Sequence, residues 1–77
     1  MDKITGAESV RYSANLYDGT NEKLSVSLGK AKNYLSSYMS HGATPSATLL
    51  ARILELSGHR LAILDDRGKP IATITPD

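Results

Sequence analysis

Between residues 20 and 58 the chain is punctuated by glycines at intervals that leave room only for short helices. Leu24 and Leu28 run into Gly29, and Leu35 with Tyr38 or Met39 runs to Gly42. A longer apolar segment containing Leu49, Leu50, Ile53, Leu54 and Leu56 then stops at Gly58. Glycine enters the left-handed conformation that ends a helix within one residue. Apolar residues three and four apart mark the buried stripe of an amphipathic helix. Together these signals predict three consecutive helices joined by tight turns.

The caps sharpen the boundaries. Thr20 stands where a hydroxyl can accept a hydrogen bond from an unpaired N–H of the first turn, and Glu22 suits the positive end of that helix. The helix is expected over 21–28. The next is expected over 32–40, although Ala31 stands where Ser or Thr would cap it. His41, Gly42 and Ala43 are expected to form a loop. The following helix starts from a Ser46 cap, or from Thr44 with Pro45 just inside. Upstream, Ile4, Ala7, Val10, Ala14 and Tyr17 predict a first helix over 4–16, weakened by Gly6 and two serines. Asp18-Gly19 reads as the turn after it.

Past Gly58 the period changes. Residues 61–64 (Leu-Ala-Ile-Leu) and 71–74 (Ile-Ala-Thr-Ile) are two short β-prone runs around Asp65-Asp66-Arg67-Gly68-Lys69. They predict a β-hairpin over about 60–75. A two-stranded hairpin alone is marginally stable. It must lie on the helices or pair with another chain.

The bulk properties narrow the class. A chain of 77 residues makes one domain, residues 1–77, and a domain this small buries only roughly 60% of its unfolded surface. Phe, Trp and Cys are absent and the formal charge is +1. Without cysteine there is no disulfide framework or thiolate metal site, which fits a reducing cytoplasm. His41 and His59 are not spaced as metal ligands. The scattered Ser, His and Asp do not form a nucleophile elbow, and the glycines do not form a phosphate-cradling loop. No enzyme activity and no cofactor are expected. The N-terminal residues lack the apolar block of a secretory signal, no apolar run nears the ~20 residues of a membrane span, and no membrane partner is expected.

Two short helices held by a glycine turn, with a third behind them, are a way to present a helix to the major groove of DNA. In this register the residues resemble the Cro/repressor-type (Xre-like) helix-turn-helix family over about half the chain. The resemblance rests on Thr20 followed by polar Asn21, then Leu24, Leu28 and Gly29, then the Leu35-Ser36 pair. Gly42, Pro45-Ser46, Leu50, Ile53 and Gly58 continue it. Ser25 stands where that family usually has Ala, and Lys30 where it has an apolar residue. The resemblance implies a mainly α, lambda-repressor-like four-helix domain, here with a C-terminal β-hairpin. It implies a prokaryotic or phage setting and a transcriptional regulator, without chemistry, that binds double-stranded DNA.

The residues then take expected roles. Lys23, Lys30 and Lys32 outnumber Glu22 across 21–40, so a locally positive face is expected on a chain of low net charge. Lys32 can donate to guanine or phosphate, and Asn33 matches the paired donor and acceptor of adenine. Ser36, Ser37 and Ser40 can meet bases or phosphates at short range. Tyr34 either contacts the DNA or forms an edge of the core. Lys30 reaches solvent or a phosphate over a snorkelling stem, and Asn21 opens a helix whose N–H groups can approach a phosphate. Repressor-type modules pair to read half-sites about 34 Å apart, so a homodimer through the hairpin is expected. The alternatives are an antitoxin whose tail binds a toxin partner, and a protein–protein adaptor that no longer binds DNA.

Overall fold

The computed structural model describes residues 2–76. It is mainly helical: four helices, α1 (Gly6–Asn15), α2 (Asn21–Ser27), α3 (Tyr34–His41) and α4 (Ala47–Leu56), precede strands β1 (Leu61–Leu64) and β2 (Pro70–Ile74). Helix α1 packs on α4, α2 on α3 and α4, and the hairpin on α4. Val10, Ala14, Leu24, Leu28, Leu35 and Ile53 form the buried core.

Helix α1 is shorter than its apolar spacing predicts, and its start is better defined. Thr5 and Glu8 form a reciprocal capping box: the Thr5 hydroxyl accepts the Glu8 N–H at 3.2 Å, and the Glu8 carboxylate accepts the Thr5 N–H at 3.0 Å. The Thr5 backbone N–H first, and then the Thr5 hydroxyl, hold the Glu8 carboxyl below the usual carboxylate range. The buried face consists of Ser9, Val10, Ser13 and Ala14. Ile4 and Ala7, expected inside, are exposed. Ser9, Ser13 and Ala14 fill the inward positions beside Val10 instead. A Cβ added at Gly6 would stand 3.0 Å from the Thr44 methyl carbon.

Thr20 caps α2 by accepting the Lys23 N–H at 3.1 Å, and Ser46 caps α4 by accepting the Leu49 N–H at 3.1 Å. Ser46, rather than Thr44, is therefore the α4 cap. Helix α2 ends at Ser27, one residue early, and closes as a Schellman turn. The Gly29 N–H donates to the Val26 carbonyl and the Lys30 N–H to that of Ser25. Gly29 has φ +79° and open space where a Cβ would sit. Its requirement is thus one of backbone conformation, not of room. On α4, Ile53 and Leu54 are buried as expected, but Leu56 is exposed and Ala51 takes a core position.

The hairpin is antiparallel, with Leu61 opposite Ile74, Ala62 opposite Thr73 and Ile63 opposite Ala72. Leu64 then pairs with Pro70, so Ile71 is an extra residue at an irregularity. Asp65 builds the turn: its carboxylate accepts the N–H groups of Arg67 and Lys69, both at 2.9 Å. Leu61, Ala62 and Ile74 are half-buried, whereas Ile63, Leu64 and Ile71 are exposed at 48%, 38% and 66%. Among the described residues, no helix is long and apolar enough to cross a membrane.

Candidate nucleic-acid interface

Helix α3 begins two residues later than its sequence pattern predicts. Lys32 and Asn33 lie in a turn in which the Tyr34 N–H donates to the Ala31 carbonyl at 3.0 Å. Asn33 is the N-cap residue, with φ −92° and ψ 7°, and its side chain makes no capping bond. The cap is supplied from another helix. Ser25, fully buried in α2, accepts the Leu35 N–H at 3.2 Å and donates to the Asn21 carbonyl at 2.7 Å. One hydroxyl thus closes α2 on itself and fixes the start of α3 against it. At the other end α3 runs one residue further than predicted. His41 is helical, and Gly42 ends the helix at φ +64°.

Leu35 is the α3 residue that enters the core, and Tyr34, Tyr38 and Met39 flank it half-buried. This settles the expected choice between Tyr38 and Met39: both face partly inward. Tyr38 donates its hydroxyl to the Thr44 carbonyl at 3.2 Å. Ser36, Ser37, Ser40 and His41 are exposed, as are Lys30, Lys32 and Asn33 ahead of the helix. The outer face of the segment is therefore polar and accessible, and the hairpin packs on α4.

The predicted residues fall into three groups and one outlier, Asn21. Asn33, Tyr34 and Ser37 line a shallow groove of about 350 Å³ together with Ala31, Tyr38, His41 and Ala43. Lys30 joins this group from above, with its ammonium 5.4 Å from the centre of the Tyr34 ring. Tyr34 itself stands 5.8 Å from Tyr38, ring to ring, at a tilted angle. The ring is thus an edge of the core capped by a cation, with only part of it accessible. Lys32 turns the other way. It lines a second groove, of about 330 Å³, with Tyr17, Glu22, Lys23, Val26 and Ser27 of the α2 side. Ser36 and Ser40 lie on the neighbouring row of α3, where the Ser40 hydroxyl donates to the Ser36 carbonyl at 2.9 Å. Asn21 is exposed at the start of α2 and lines neither groove.

A third groove of about 360 Å³ lies between α1 and Met39, lined by Ile4, Ala7, Glu8, Arg11, Tyr12 and Asn15. The three are nearly equal in volume, so size selects none of them. Their chemistry differs. The α3 groove and its rim combine hydroxyls, an amide, an imidazole and an ammonium. The Lys32 groove pairs two ammonium groups with one carboxylate. Sequence reading omitted His41 by assigning it to a loop. The signal was present in the four-residue spacing of Asn33, Ser37 and His41, which places all three on one side of a helix.

The elements and this face define a small helical domain whose short α3 has a polar outer face and follows a glycine-closed turn that carries Lys30 and Lys32. The chain matches no family model, no curated protein and no solved structure.

Proposed function

We propose that this protein is a sequence-specific DNA-binding regulator that inserts the outer face of α3 into the major groove, with the Cro/repressor-type helix-turn-helix arrangement that its sequence resembles. One observation carries the reading: the side of α3 opposite Leu35 is exposed along its length and bears only polar groups, while the Ser25 hydroxyl ties the start of the helix to α2. An isolated helix of 8 residues would not persist in water. Here its orientation is imposed from outside, as a reading element requires.

In this reading Asn33 and Ser37 face base edges, where the Asn amide can pair with adenine. Lys32 and Lys30 meet phosphates, Lys32 from beside α2 and Lys30 from over Tyr34. Asn21 and Ser36 take flanking backbone contacts, which position the protein but carry no sequence information. The low net charge makes nonspecific affinity modest.

A single module of this size reads few base pairs, so the active species is a dimer. The hairpin supplies the pairing surface. Leu61, Ala62 and Ile74 are half-buried, whereas Ile63, Leu64 and Ile71 towards the turn stay exposed on both faces of the hairpin. A second copy covers the rest.

The test is binding to a randomised duplex pool by the wild type and by a Lys32→Ala/Asn33→Ala variant, over a salt series. The wild type is expected to lose affinity steeply with salt as counterions are released. The variant is expected to lose preference at the base pair that Asn33 meets, with its helical content intact. Preference unchanged in the variant would remove α3 as the reader, and no binding at low salt would favour the adaptor.

A further inference from the structure

The hydrogen bonds along α3 give its outer face a direction. At the start stand the ammonium groups of Lys30 and Lys32, which only donate, beside the Asn33 amide, which both donates and accepts. At the end the donors are consumed by the helix itself. The His41 Nδ1 lies 2.6 Å from the Ser37 carbonyl. A carbonyl only accepts, so Nδ1 carries the proton and donates it. In the neutral ring the other nitrogen, Nε2, is then an acceptor. Ser40 repeats the pattern one row over, giving its hydroxyl proton to the Ser36 carbonyl and keeping only lone pairs to offer.

We propose that the C-terminal turn of α3 is an acceptor site, with His41 Nε2 as its specificity-determining atom, for the exocyclic amino group of a base in the major groove. This rests on the DNA reading above. Two base groups share that chemistry, N4 of cytosine and N6 of adenine. Phosphate is the wrong ligand here. Its oxygens offer no proton, and the helix C-terminus already carries unpaired carbonyls and partial negative charge. The donor-rich start of the segment suits phosphate and the acceptor atoms of guanine. The acceptor-rich end suits the amino-bearing bases. Asn33, Ser37 and His41 line one groove, with about 12 Å of helix between the first and the last, so the two ends read separate base pairs.

The experiment is selection from a randomised duplex pool at one fixed salt concentration, using the full chain as wild type, His41→Ala and His41→Lys. His41 is exposed, and a thermal melt establishes that each variant folds. The wild type is expected to prefer an amino-bearing base roughly threefold to tenfold at one position, the value of one net hydrogen bond. Duplexes carrying cytosine or adenine there decide which of the two it is. His41→Ala should lose preference at that position alone. His41→Lys, a pure donor, should turn it toward guanine. Identical base profiles for wild type and both variants, with binding retained, would overturn the acceptor site and leave the DNA reading standing. Failure of every form to bind any duplex at low salt would overturn both.

Discussion

Ser25 does more than fill space. Its hydroxyl accepts the Leu35 N–H, which lies in the core. A buried donor left without a partner costs about 1–3 kcal/mol. Ser25→Ala is therefore expected to destabilise the fold by that amount, although it removes a single oxygen. Urea unfolding of the two proteins measures it, and a change within about 0.3 kcal/mol would show that the Leu35 N–H finds another partner. The residue was legible in the sequence only as a size-compatible replacement for Ala. Its bond was not, because it joins two elements ten positions apart. The Thr5–Glu8 capping box was legible in principle, as a Thr followed three positions later by Glu. Apolar spacing drew attention to Ile4 and Ala7 instead, and both lie on the surface.

Among the elements, helix existence was written clearly in the chain and helix ends less so. Leu24, Leu28, Leu35, Ile53 and the Thr20 and Ser46 caps stand where periodicity and cap chemistry place them. The start of α3 did not follow from local signals, since its stabilising contact comes from α2. Gly29 was legible, and the structure supplies the reason for it. It lies at φ +79° with nothing near its missing Cβ. Gly29→Ala thus carries only the left-handed strain of about 1–2 kcal/mol, and Gly29→Asn, which tolerates that conformation, less. Equilibrium unfolding of both variants checks this order. An equal loss in the two would point to a steric cause instead. Because α3 hangs from this turn, the Ala variant should also weaken DNA binding more than its stability loss explains.

The molecule measures 38 × 22 × 21 Å, long for its size, with the hairpin packed on α4. The strands were legible in the Leu-Ala-Ile-Leu and Ile-Ala-Thr-Ile runs, and the turn in Gly68. The irregularity that leaves Ile71 unpaired was not, since register depends on both strands at once. Among the described residues Ile71 is also the most exposed of the large apolar side chains. Ile71→Glu is expected to change the stability of the isolated chain by no more than about 0.5 kcal/mol. In a two-fold dimer the same charge enters the interface twice, so association should weaken roughly tenfold or more. Sedimentation equilibrium of wild type and variant reads this directly. A wild type that stays monomeric at every concentration would move the hairpin out of the dimer role.

The proposed DNA-binding surface can be tested residue by residue from backbone amide shifts of the ¹⁵N-labelled chain as a short duplex is added at low salt. The account predicts that the perturbed amides cluster at residues 30–41, with His41 and Asn33 among them. Perturbations confined to the α1–Met39 groove or to the hairpin, with 30–41 silent, would contradict it.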